Sequence, residues 1–191
     1  MSTASAKSAA ALGFLTVHEC ASRGLFGGYL ILNRSGRPLQ FHCTAPVKPN
    51  RAQEILYGAT LAPYLYGEQI GHSLVSQAKE KPALICTDCS EMLSLSSMVK
   101  QPVVLVEQAL QDRNDTLTKS DGKQIRVDAA HDGSGSPAMF SVGAHRVALA
   151  AESAGHESEV TQQLNNLGDN FDLAEPFERI RQAIAEAGGG R

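Results

Sequence analysis

The chain has 191 residues, 42% of them apolar and 19% charged, with a net charge of −3. That is the length of one domain, large enough to bury roughly 70% of its unfolded surface without a metal or disulfide framework, and too apolar to be disordered throughout. The acidic balance, with no Lys/Arg run longer than two, argues against an electrostatic grip on nucleic acid, and no window approaches the roughly 18 apolar residues of a membrane span.

Residues 1–10 are rich in Ser and Ala and read as a disordered leader, followed by one α+β domain over 11–187 and a disordered Gly tail at 188–191. Four cysteines are too few for a disulfide scaffold of this length, so reduced thiols and a cytoplasmic location are expected.

In chain order, Leu12–Cys20 alternates apolar and mixed residues and predicts a first strand. Residues 26–33 predict a second, with an unusual Gly27-Gly28 pair inside it. Asn33-Arg34-Ser35-Gly36 predicts a hairpin turn, and 38–44 a third strand. These three make an antiparallel meander. Pro46 and Pro49 end the ladder, and Asn50 with Gln53 predicts a capping box that starts a helix with Ala52, Ile55, Leu56 and Ala59 on its apolar face. A second helix is expected over 60–79.

The run Ala83 to Thr87 predicts a buried strand, Asp88 with Glu91 a capped short helix, and Val103 to Glu107 another buried strand. Strand, helix and strand form a compact parallel crossover of about 15 residues. The meander and this unit together predict a mixed sheet flanked by helices. Residues 111–122 and 130–137 read as loops, with a short strand at 124–128 between them. Residues 139–151 predict one strand or a bent pair, and 155–168 are expected to be part helix. Leu173, Phe177, Ile180 and Ile184 lie four, three and four apart on a last helix opened by Asp172 and Glu175.

Three sets of residues carry possible chemistry. Cys86 and Cys89 form C-T-D-C, with Cys20 and Cys43 near strand ends. Four thiolates would suit a tetrahedral zinc ion, although a second closely spaced pair is missing. No cofactor is otherwise implied. A nucleophilic Cys–His pair would have to cross strands, Cys20 to His42 or Cys43 to His18, giving a small hydrolase or transferase. Thr87, Asp88 and Ser90 stand where a parallel strand leads into a helix, a place that accepts anions or small polar ligands, and the same residues serve as a capping motif.

Tyr57, Tyr64 and Tyr66 cluster beside Gly67 and Gly71. Tyrosine favours interface cores, and two glycines four apart leave a helix face open to close packing. The leading expectation is therefore a non-enzymatic interaction or assembly module that binds protein, mainly itself. The stretch GGYLILNRSGRPLQ followed by a helix resembles the hairpin-then-helix of roadblock/longin-type and profilin-like domains. That resemblance implies a dimerisation or scaffold role.

Overall fold

The computed structural model describes residues 11–107, 137–142, 145–167 and 171–189. The expected leader, residues 190–191 of the tail, the loops at 111–122 and 130–136 and the strand at 124–128 lie outside the described residues.

The fold is α+β with one mixed sheet flanked by helices. Seven strands are present among the described residues: β1 Leu12–Cys20, β2 Gly24–Leu32, β3 Pro38–Cys43, β4 Leu84–Thr87, β5 Val103–Val106, β6 Ala138–Val142 and β7 His145–Leu149. Their order is β3-β2-β1-β4-β5-β7-β6. The meander β1-β2-β3 is antiparallel, and β4 pairs parallel with β1 and β5. The bent pair expected near the C-terminal half is the antiparallel hairpin β6-β7, docked on β5 through β7.

Side chains alternate between two buried faces, as the period of two requires. On the first face Leu15, Val17, Tyr29, Ile31, Ile85 and Val103 form one core. On the second, Leu12, Phe14, Leu30, Leu32, Leu84, Cys86 and Val104 form another. Both faces are covered, which explains why the central strands are almost continuously apolar.

Helix α1 (Arg51–Tyr57) opens with the expected capping box. Asn50 Oδ1 accepts from the Gln53 amide at 2.9 Å, and Gln53 Oε1 accepts from the Asn50 amide at 3.0 Å. Its expected apolar face is not buried, however: Ile55 is 66% and Leu56 80% exposed. The helix is held by its cap and by Tyr57 rather than by core contact. The chain then runs through a short turn into α2, a continuous helix over 61–77 whose central part, Tyr64–His72, has the wider π-helical winding. Leu65, Ile70, Leu74 and Val75 place α2 on the first face, beside the 3-10 helix Ser90–Ser97 with Met92, Leu93 and Leu95.

The second face is covered by α3 (Glu157–Asn165) and α4 (Glu175–Gly189). Val160 and Leu164 come from α3, and Phe177, Ile180 and Ile184 come from α4. Leu173, just before α4, completes the expected apolar stripe. Among the described residues, no helix is long and apolar enough to cross a membrane.

Candidate polar ligand site at the carboxyl end of β4

Strand β1 leads to β2 on one side of the sheet, while β4 leads through the Ser90–Ser97 helix to β5 on the other. The chain thus departs in opposite directions from the carboxyl ends of two neighbouring parallel strands. In open sheets this is where crevices form.

The last β1–β4 pairing is Leu15 with Thr87. One residue on, Thr16 of β1 and Asp88 belong to the second face by alternation, beneath α4. Both are fully buried. Asp88 pairs with Arg181 of α4, whose side chain is 22% exposed. The other guanidinium arm of Arg181 donates to Glu178, one turn earlier. Cys89 Sγ donates to the second oxygen of Asp88 at 3.3 Å. Burial holds the Arg181 guanidinium below its ordinary pKa. A buried carboxylate is costly to desolvate, and here a cation and a thiol both compensate it.

Thr16 differs from these. Its hydroxyl is buried and has no hydrogen-bond partner. Across the β1–β2 ladder Thr16 pairs with Gly28, on which Ile180 and Ile184 pack. Further along the same face, His18 stands opposite Phe26. The Arg23 guanidinium lies 5.2 Å from the Phe26 ring centroid, in stacking range. The strands therefore align a buried hydroxyl, a buried ion pair, an imidazole and an arginine-covered aromatic ring.

The expected Thr87, Asp88 and Ser90 set divides. Thr87 belongs to the first face, and its hydroxyl accepts from the Cys89 amide at 3.2 Å. Ser90 is exposed and donates to Glu91 at 3.0 Å. Asp88 is not the cap of the following helix; Cys89 occupies the N-cap position and no side chain caps it. The long-range pull of Arg181 overrides the local capping pattern. Arg181, Glu178 and Thr16 carry the site and were not singled out by the sequence reading. A signal existed for Arg181, which lies four residues after Phe177 and three before Ile184, at the edge of the apolar stripe.

The cysteines do not assemble a metal centre. Among the described residues, no three His, Cys, Asp or Glu side chains are placed to hold an ion. Cys86 and Cys89 are buried, whereas Cys20 and Cys43 stand at the partly exposed and exposed ends of β1 and β3. Cys86 packs as a small hydrophobe in the second core.

The tyrosine cluster is also resolved internally. Tyr57 stacks on Tyr64 with ring centroids 4.2 Å apart, and the Tyr64 hydroxyl accepts from Gln69 at 2.7 Å. Tyr66 is half-buried and packs against the first core. The glycine face is not open to a partner. A Cβ on Gly67 would lie 2.1 Å from Ser94 Oγ, and one on Gly71 would lie 2.7 Å from Met92 Sδ. The Ser90–Ser97 helix fills it.

No family model matches the chain. No curated protein matches it either. Solved structures that resemble it include the catalytic domain of human Endonuclease V, at TM-score 0.41 and 13% identity over 96% of this chain and 85% of that one. Endonuclease V of Ciona intestinalis in complex with a 24mer DNA matches at TM-score 0.38 and 10% identity over 76% and 75%. A single-substitution variant of Ciona intestinalis Endonuclease V, in complex with a 23mer DNA, matches at TM-score 0.35 and 11% identity over 59% of this chain; the chain spans 56% of its length.

These neighbours are endonucleases, two of them bound to DNA. The expectations of a non-enzymatic, self-associating protein-binding module and of a chain with no nucleic-acid partner run against them and are set aside. The zinc alternative is set aside on the placement of the cysteines above, and the Cys/His alternative on register: β2 separates Cys20 from His42 and Cys43 from His18, with Cys20 opposite Gly24 and His42 opposite Tyr29. Scores below 0.5 at 10–13% identity transfer no activity to this chain.

Proposed function

We propose that this chain binds a ligand that joins a phosphate to a planar ring, a nucleotide or a single-stranded nucleic acid, where β4 ends alongside β1 and α4 crosses. The observation that carries this reading is Arg181, held at the carboxyl end of β4 by the buried Asp88 while its other arm reaches the exposed Glu178. A guanidinium offers phosphate a planar fork of donors. Phe26, already covered by the Arg23 guanidinium, supplies a stacking surface for a ring. The site is not a free positive patch: Arg181 already faces two carboxylates, Asp88 and Glu178, so a phosphate binds in competition with one of them.

Fluorescence anisotropy with labelled single-stranded DNA and RNA, alongside thermal-shift titration with nucleoside monophosphates, tests the reading. Binding that weakens at least about tenfold in Arg181→Gln, and that falls with added salt, is expected. Oligonucleotide binding without mononucleotide binding would identify a polymer ligand. Absence of binding in all arms at millimolar nucleotide and micromolar oligonucleotide would overturn it.

A further inference from the structure

The guanidinium of Arg181 is held from two sides by carboxylates of opposite character. Asp88 is fully buried, whereas the Glu178 side chain is 65% exposed. The two contacts use different arms of the fork, one turned into the protein and the other toward the surface. Exposed ion pairs between neighbouring helix residues are weak and yield to solvent or a competing anion, but a buried pair does not.

The other ion pair of the helix has a different task. Arg179 and Glu175 form two hydrogen bonds at 3.1 and 2.6 Å, and Arg179 also donates to the Gly36 carbonyl at 3.1 Å. That pair fastens the start of α4 to the β2–β3 hairpin, away from the crevice.

Resting on the ligand reading above, we propose that Glu178 occupies the position on Arg181 that the ligand's phosphate takes, so that binding displaces it. A carboxylate and a phosphate oxygen satisfy the same donors of a guanidinium. Asp88 keeps the inner arm and fixes the fork, and the outer arm exchanges Glu178 for phosphate.

The test is equilibrium binding of adenosine monophosphate and of a labelled single-stranded oligonucleotide to the wild type, Glu178→Gln and Glu175→Gln. Each variant removes one negative charge from an exposed position of the same helix. Glu178→Gln is expected to bind about five- to tenfold more tightly, and Glu175→Gln to stay within about twofold of wild type. Equal tightening in both variants would show general charge repulsion and overturn the displacement while leaving the ligand site in place. No binding by any of the three proteins would overturn the ligand site itself, and the displacement with it. Circular dichroism of each variant excludes loss of fold as the source of a difference.

Discussion

A Cβ on Gly28 would lie 2.2 Å from Cγ2 of Ile180. On the opposite face, a Cβ on the preceding Gly27 would lie 2.1 Å from Cγ2 of Ile70. Two neighbouring residues of one strand thus face two different helices, and both helices come closer to the sheet than any side chain would permit. The blocking atoms are branch methyls near the helix backbone rather than mobile tips. Gly28→Ala and Gly27→Ala are each expected to lose about 1–3 kcal/mol by overpacking, read as a shift of the urea midpoint at unchanged slope. Gly28→Val is expected to lose more, because Ile184 Cδ1 also lies 2.9 Å from the missing Cβ.

The meander was legible in the sequence because its signals are local. Alternation set β1 at Leu12–Cys20, and Asn33 with Gly36 set the turn, where the Gly36 amide donates to the Asn33 carbonyl at 3.0 Å. The Asn50 capping box was legible for the same reason. The role of the Gly27-Gly28 pair was not, since it depends on Ile70 and Ile180, roughly 40 and 150 residues away in sequence. The candidate site failed to appear for a like reason. Asp88 has a perfect local partner in Glu91 for a capping box, and only the folded arrangement of α4 shows that Arg181 claims it. The glycine stripe in α2 is a close-packing face, but it serves the Ser90–Ser97 helix of the same chain rather than a partner.

The Asp88–Arg181 pair makes an asymmetric prediction. Asp88→Ala leaves a half-buried guanidinium without its inner partner, and a loss of about 3–5 kcal/mol is expected. Asp88→Asn keeps an acceptor for Arg181 and is expected to lose less. Replacing both residues with apolar ones of similar size, as in Asp88→Leu with Arg181→Met, is expected to recover most of the stability lost by Asp88→Ala while abolishing ligand binding. Denaturant unfolding of the four proteins with a binding assay separates the two effects. A double variant no more stable than Asp88→Ala would show that the pair contributes through geometry that apolar packing does not replace.

Helix α1 predicts the opposite outcome for apolar residues. Leu56 is 80% and Ile55 66% exposed. Leu56→Ser and Ile55→Ser are therefore expected to change stability by no more than about 0.5 kcal/mol. Asn50→Ala, which removes the capping box, is expected to cost about 1 kcal/mol. A thermal or urea series with the three variants checks the order. A large loss from Leu56→Ser would mean that α1 packs against something that its described neighbours do not include.

Cys20 and Cys86 should separate by pH. The pKa of Cys20 is lowered from 9.0 to about 6, first by the Ser22 hydroxyl, which lies 3.5 Å away, and then by Arg23. Cys86 is fully buried and is pushed up to about 12 by desolvation. Alkylation follows the thiolate. Iodoacetamide labelling of native Cys20 is expected to rise through pH 6 and level off by about pH 7.5, since a depressed pKa leaves the thiolate dominant above it and lost as pH falls through it. Cys86 is expected to stay unlabelled across the same range until the protein is denatured. Ser22→Ala removes the first cause, so its Cys20 profile is expected to move toward the ordinary thiol range. Peptide mass spectrometry after timed labelling resolves each site, and a Cys20 profile with its midpoint above about pH 8 in the wild type would rule out thiolate stabilisation by the Ser22–Arg23 turn.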